Sequence, residues 1–288
     1  MERAGRAGEA MSDSQLTVGA ALGYAWSLWR SHWREIWGAL ALSALAWTVF
    51  CAGLFAQNLE LIGAGALGLL LTKYAVYGAI LRLAFAGEHA EDPAFKVGSM
   101  GLQWRRMELR MFGADALLTC FLIVLLVLLG IALFAPVLGM VMSRGGPLPT
   151  APTTPEQLER LLGPTGVTVL AAGQLVMRVV VLFVLTRLSL YLPATAESGR
   201  ISIFRTWKLT RGQFWRIFAS TLVIGLPTVL IMSIGAGAGL SLNGQPAPLA
   251  PGETFLYSLI CGGWAGAAAT PLAAGVQAYF YRHLKTDV

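Results

Sequence analysis

The chain has 288 residues, of which 56% are hydrophobic and only 12% carry a charge. Soluble domains carry roughly 25% charged residues, so this sequence lacks the polar surface that a water-soluble globule needs. The composition therefore excludes a water-soluble globular protein and predicts one whose solvent is lipid.

Six apolar runs are long enough to cross a membrane as helices, because runs of about 18 or more residues with few charges are typical of spanning segments. Charged residues are clustered between these runs instead of being spread along the chain. The runs cover residues 37–56, 61–85, 112–142, 167–192, 214–242 and 254–281. The polar residues 1–15 do not resemble a signal peptide, and we expect a disordered cytoplasmic tail there. Residues 16–288 are predicted to form a single six-span integral membrane domain.

The distribution of basic residues predicts how the chain is threaded. Fifteen Lys and Arg residues fall in the tails, loops and helix flanks on one side, whereas the other side has only Arg144 and Arg160. Cytoplasmic loops carry the excess of basic residues, so both termini should be cytoplasmic. We expect a multi-pass protein of the bacterial inner membrane.

An internal repeat joins the basic segments to the spans that follow them. AWSLWRSHWREIW, which begins at Ala25, aligns with TWKLTRGQFWRIF, which begins at Thr206, and the alignment pairs Trp26 with Trp207. Between them, apolar residues at spacings of three and four predict one helical stripe, consisting of Val97, Met100, Trp104, Met107 and Met111. The predicted fold is therefore all-α, with six transmembrane helices in three hairpins, each preceded by a cytoplasmic amphipathic interfacial helix.

The same basic segments hold seven of the nine tryptophans. Indole rings favour the headgroup level of a membrane, and nearby basic side chains are attracted to anionic lipid. Either ordinary anchoring or recognition of a particular anionic headgroup would account for this pattern. The candidate lipid-interface residues are Trp26, Trp29, Trp33, Trp104, Arg105, Arg106, Trp207, Lys208, Arg211 and Trp215.

The segments AWSLWRSHW, TWKLTRGQFWRIF and WRRMELRMFG resemble those of uncharacterised bacterial six-span integral membrane proteins, related to the membrane domain of glycerophosphoryl diester phosphodiesterases. The resemblance covers most of the chain. It implies a membrane fold with no established activity, because the shared motifs are anchoring patterns and the soluble phosphodiesterase domain of some relatives has no counterpart here.

Motifs that would carry enzymatic chemistry are missing from the sequence. GAGALG has dinucleotide-binding spacing, but it lies inside a predicted span, where small residues favour close helix packing. The three histidines are scattered, and the three cysteines, in separate predicted spans, are expected to be packing residues without a disulfide framework. We therefore expect no enzyme, no cofactor, no metal and no nucleic-acid partner.

Two cations fall in the middle of predicted spans. Lys73 and Arg178 would each cost about 2.5 to 3.5 kcal/mol at the centre of a membrane helix, so neither should face lipid. Gln174 lies one helical turn from Arg178 and shares its face. Asp115, inside the third span, is expected at a depth nearer Arg82 and Arg187 than the two central cations.

These cations have two interpretations. Lys73, Gln174 and Arg178 are either tolerated for structural reasons or form a site for a phosphate or carboxylate. The sequence favours a non-enzymatic, lipid-interacting or accessory membrane component, with anionic lipid headgroups and other membrane proteins as candidate partners. The alternative is a carrier for an anionic or lipid-like substrate.

Overall fold

A computed structural model describes residues 16–143, 155–238 and 250–285. Over these residues the secondary structure is helical and contains no strand. A stretch of π-helix, which we call the π segment, occupies Gly263–Ala269. The α-helices are α1 (Val18–His32), α2 (Trp37–Phe55), α3 (Leu59–Phe85), α4 (Arg106–Ser143), α5 (Pro155–Leu188), α6 (Tyr191–Ser198), α7 (Arg205–Leu209), α8 (Phe214–Ala238), α9 (Pro251–Gly262) and α10 (Thr270–Lys285).

The predicted all-α polytopic fold is confirmed. Within the described ranges, six helical stretches are long and apolar enough to cross a membrane. Three of them lie in the single helices α2, α3 and α8. Ser99–Ala135 begins before α4 and includes most of that helix, Gly163–Ser198 runs from α5 through α6, and the last stretch is the continuous run of α9, the π segment and α10. The N-terminal tail, residues 1–15, lies outside the described residues.

Local signals explain where several helices begin. The Asn58 side chain accepts hydrogen bonds from the backbone N–H groups of Glu60 and Leu61, and this caps the first turn of α3. Pro251 opens α9, where the Glu253 carboxylate accepts a hydrogen bond from the Ala250 N–H. These caps supply partners for N–H groups that a helix start leaves without internal acceptors.

The prediction of an interfacial helix in the middle position of the repeat was wrong for the first half of that segment. Val97, Met100 and Trp104 lie before α4, and the short 3₁₀ turn Ser99–Gly101 contains Met100 at a left-handed φ of 59°. The apolar spacing here falls on an irregular segment and not on one face of a helix. At Gly101, whose φ is +70°, an added Cβ would come within 3.0 Å of the Ile36 Cα.

The basic segments at the other two positions of the repeat do contain helices. The first, α1, is 15 residues long, and Thr17 caps it by accepting a hydrogen bond from the Ala20 N–H. The third, α7, has only five residues. Helical interfacial segments therefore precede the first and third hairpins.

The contacts within the chain define two compact units, here called the larger unit and the smaller unit. The larger unit comprises Met1–Ala114 and Leu188–Val288, and the smaller unit comprises Asp115–Arg187. The larger unit contains α1–α3, α6–α10 and the start of α4. The smaller unit contains most of α4 and α5. Helices α2 and α8 begin, and α3 and α10 end, on the same side of the larger unit. We call this side the basic side.

Candidate functional site

The larger unit contains a cavity of about 320 Å³ among its membrane-spanning helices. Its wall combines aliphatic, alanine and glycine positions with a few polar side chains. Residues of α2, α3, α8, the π segment and α10 all contribute to it. We call this the Lys73 cavity, after its one lysine.

Helix α3 presents Lys73 to the cavity through a regular spacing. Leu69, Lys73 and Tyr77 line it at intervals of four residues, which places them on one face of the helix. The Lys73 Nζ also lies 5.4 Å from the centroid of the Tyr74 ring, within range of a cation–π contact. Lys73 as a whole is half-buried.

The Tyr74 ring beside Lys73 is held firmly. It is fully buried and makes edge-to-face contacts with the rings of Trp104 and Phe112, at centroid distances of 6.1 and 5.7 Å. Such aromatic pairs add about 0.5 to 1.5 kcal/mol beyond the burial of their area. Trp104, which the sequence assigned to the lipid interface, thus also supports the helix that carries Lys73.

Hydroxyl groups supply most of the remaining polarity of the cavity. Thr221 donates a hydrogen bond to the Ile217 carbonyl at 3.0 Å, and Thr270 donates to the Ala265 carbonyl at 2.7 Å. Each hydroxyl satisfies its own helix while keeping lone pairs that can accept a bond from a ligand. Trp47 adds a flat aromatic surface to the wall. The cavity therefore combines one cation with acceptors and a largely apolar lining.

The π segment forms part of the cavity wall through Ala265 and Ala269. It is pressed against α2, since a Cβ added at Gly266 would lie 2.4 Å from the Ala44 backbone nitrogen. Just before the π segment, at the last residue of α9, a Cβ added at Gly262 would lie 2.0 Å from the Thr48 Oγ1. π-Helical turns are rare and often occur at functional sites.

The other two residues of the candidate anion site lie in the smaller unit. Gln174 and Arg178 are exposed and lie one turn apart on α5, so they share a face as the sequence predicted. Neither lines the Lys73 cavity. A joint anion site of Lys73, Gln174 and Arg178 stays a prediction.

The candidate interface residues are mostly exposed. Trp215 is the most accessible of the tryptophans among them, with 73% of its surface exposed. Trp29 is half-buried beside Trp26, at a centroid distance of 4.9 Å. Arg105 donates a hydrogen bond to the Pro93 carbonyl at 2.9 Å, so it also holds a loop. The remaining candidates, all exposed, are Trp33, Arg106, Trp207, Lys208 and Arg211.

Sequence reasoning missed the partner of Arg82, which is Glu108. Both side chains are fully buried, with Arg82 Nη1 2.6 Å from Glu108 Oε1 and Nη2 donating to Oε2 at 2.9 Å. The same carboxylate accepts a bond from the Arg105 N–H, and Arg82 Nε donates to the Ala94 carbonyl. Glu108 comes three residues after Arg105, but a capping box needs Ser or Thr at the first position, so no complete sequence signal identified this carboxylate.

A cluster of charged side chains lies on the basic side of the larger unit. Glu88 pairs with Arg282 and Lys285, and Lys285 also contacts Glu197. Partial burial alone would raise the pKa of Glu88, but the two cations outweigh it and lower that pKa below its ordinary value. Glu88, His89 and Glu197 carry potential ligand atoms within 4.8 Å of one another. The Lys285 ammonium contacts both carboxylates of this group.

Comparisons with family models, with curated proteins and with solved structures found no match to the chain. The resemblance to six-span relatives of the phosphodiesterase membrane domain therefore stays a prediction. The functional argument depends on the geometry of the chain itself.

Proposed function

We propose that this integral membrane protein is non-enzymatic and binds an anionic, lipid-like molecule in the Lys73 cavity. The observation that carries the proposal is a lysine at the middle of a spanning helix, on the wall of a largely apolar cavity. An ammonium in that position attracts a carboxylate or phosphate, and the surrounding apolar wall favours an aliphatic body attached to it. The volume of about 320 Å³ lies at the lower end for small-molecule sites, which favours a small amphiphile or one part of a lipid.

Lipid interaction at the membrane surface is a second part of the proposal. The exposed tryptophans and basic residues of α1, α7 and the start of α8 support it. In this role the protein is an accessory or scaffold component that associates with anionic headgroups and with other membrane proteins.

A carrier for the same class of molecule is the alternative, and the position of the π segment favours it. This segment forms one wall of the cavity, and Pro227 interrupts the hydrogen bonding of α8, which forms another. Both features place less regular backbone next to the ligand, where helices can bend. Net movement of ligand across liposome membranes would distinguish a carrier from a protein that only binds.

The binding proposal is tested by thermal unfolding of the full chain in detergent. The panel comprises inorganic phosphate, single-chain alkyl phosphates, fatty acids and phosphatidylglycerol. We expect at least one anionic amphiphile to raise the melting temperature of the parent, and Lys73→Met to fold but lose this effect. Lys96→Met, which removes an exposed lysine outside the spans, should keep it. Absence of any anion effect in the parent would reject the proposal.

The same assay tests the predicted joint site. If Arg178→Met also loses the ligand effect, then Lys73 and Arg178 act on one ligand. If only Lys73→Met loses it, the cavity acts alone. A stabilising effect of phosphate without an alkyl chain would identify a free anion, and not a lipid, as the ligand.

We further propose that the protein lies in a bacterial inner membrane with both termini in the cytoplasm. Fifteen basic residues on one side against two on the other support this orientation. Reporter fusions after Glu88, Gly199 and Val288 should report the cytoplasm, and fusions after Gly145 and Gly244 the periplasm. An odd number of crossings between the two termini would contradict the proposed threading.

A further inference from the structure

Two cysteines that are far apart in the sequence meet inside the larger unit. Cys51 of α2 and Cys261 of α9 are separated by 210 residues, yet their Sγ atoms lie 3.0 Å apart. Both side chains are fully buried. Cys120 belongs to the smaller unit and is exposed. The sequence led us to expect three packing residues, but the fold brings two of the thiols into direct contact.

The contact results from an unusually close approach of two helices. Next to Cys261, Gly262 leaves room for the Thr48 hydroxyl, which lies one turn before Cys51. Any side chain at residue 262 would collide with α2, because its Cβ would lie 2.6 Å from the Ala44 carbonyl oxygen. Small residues let helix backbones approach within reach of a short cross-link, and the thiol contact shows that the two side chains point toward each other.

We propose that Cys51 and Cys261 form a disulfide that joins the first spanning helix to the last spanning stretch. The proposal concerns these two thiols alone and does not depend on what the Lys73 cavity binds. It defines a modification site in a chain whose cysteine spacing shows no disulfide framework.

The chemistry balances by thiol–disulfide exchange with a disulfide of a second molecule. The thiolate of one cysteine attacks that disulfide, its S–S bond breaks, and one thiol leaves. The other cysteine then attacks the mixed disulfide, forming the Cys51–Cys261 bond and releasing the second thiol. Overall the chain loses two hydrogens, and the oxidant disulfide becomes two thiols.

The position of the pair favours this reaction during assembly. Because both thiols are buried in the folded unit, exchange takes place before α2 and α9 have packed together. Cys51 lies four residues before the end of α2, on the side opposite the basic side. That side is the outer one in the predicted threading, where disulfides form and persist.

The test counts accessible thiols in the full chain. Membranes are dissolved in sodium dodecyl sulfate with a maleimide but no reductant, and intact mass gives the number of labels. We expect one label on the parent, at Cys120, and three labels when the sample is reduced first. Three labels without reduction, in protein made by cells with an intact disulfide-forming pathway, would overturn the proposal.

Matched variants identify the pair. Cys120→Ser should carry no label without reduction and two labels after it, whereas Cys51→Ser should carry two labels in both conditions. A Cys120→Ser variant that still carries one label or more before reduction would contradict a Cys51–Cys261 bond. Reduction should also lower the melting temperature of the parent and of Cys120→Ser, while leaving those of Cys51→Ser and Cys261→Ser unchanged.

Discussion

Apolar membrane-spanning helices are buried by protein to very different extents in the two units. In the larger unit, half of the most apolar window of α3 is buried by protein, whereas only 6% of that of α4 is. The smaller unit is nevertheless built from the more hydrophobic residues, such as the run FLIVLLVLLGIALF that begins at Phe121. Long aliphatic side chains are satisfied by lipid, so they give no reason for a helix to pack against protein.

Burial in the larger unit follows small and polar residues instead. A Cβ added at Gly65 would lie 2.5 Å from the Phe50 backbone, and Gly78 leaves room for the Glu108 carboxylate. Close backbone approach and buried hydrogen bonds hold this unit together, and both are lost on a lipid-facing surface. Within this chain, hydrophobicity therefore identifies the spans, while small and charged residues identify their contacts.

The largest expected effect comes from removing the buried carboxylate. Glu108→Gln leaves the Arg82 guanidinium buried without a counter-charge, and we expect a loss of roughly 3 to 5 kcal/mol in unfolding free energy. In contrast, Arg178→Met in the smaller unit replaces an exposed cation and should leave stability unchanged or raised. Unfolding of the full chain in mixed detergent micelles measures both.

A double variant separates the loss of charge from a loss of shape at this site. Arg82→Met combined with Glu108→Met removes both charges, and we expect it to recover much of the stability lost in Glu108→Gln. Equal stability of the parent and Glu108→Gln would show that the buried ion pair does not stabilise the larger unit.

A smaller effect is expected from glycines at helix contacts. Gly266→Ala places a methyl group against the α2 backbone and should lower the unfolding free energy by about 1 to 3 kcal/mol. Gly130→Ala in the smaller unit meets no atom within 4 Å, so it should be neutral or stabilising by up to about 1 kcal/mol. Equal losses in the two variants would contradict the proposed difference in packing.

The smallest expected effect concerns pH and the charged cluster on the basic side. The pKa of Glu88 is lowered in the folded chain, so its ion pairs stabilise the fold above its unfolded pKa of about 4.3 and are lost as pH falls through the lowered value. Because Glu88 is about one-third exposed, we expect a contribution of no more than about 1 kcal/mol. The melting temperature between pH 7 and pH 3 should fall less steeply for Glu88→Gln than for the parent.

A nearby carboxylate controls for general effects of acid. Glu91 is exposed three residues further along the chain, and Glu91→Gln should keep the pH dependence of the parent. If both variants change the pH profile equally, the effect belongs to net charge and not to the Glu88 pairs.

The sequence predicted the spans because the free energy of transferring a segment into lipid depends on the composition of that segment alone. Apolar runs bounded by charges are therefore visible without the fold. It also predicted the shared face of Gln174 and Arg178, since helical spacing is local. The partner of Arg82 could not be selected in this way. Depth placed Asp115 nearer Arg82 and Arg187 than the central cations, whereas the buried partner of Arg82 is Glu108, at the start of α4.

The cavity and the thiol pair were likewise beyond local patterns. Lys73 lines a cavity only because α3, α8 and α10 pack in one particular arrangement. Cys51 and Cys261 meet because the glycine at residue 262 lets two distant helices approach. The π segment has no recognised spacing signal, and its composition of Gly, Ala and Trp also suits an ordinary α-helix.

The ion pair of Arg82 and Glu108 also has a consequence for the order in which the chain is synthesised and folded. Translation produces Arg82 26 residues before its carboxylate, and Arg82 lies in the last turn of α3, where its guanidinium can stay at headgroup level. Its contacts with the Ala94 carbonyl and the Glu108 carboxylate can form only after the loop and the first turn of α4 have been synthesised. The buried partners of a residue at the end of α3 therefore come from a segment that is synthesised later.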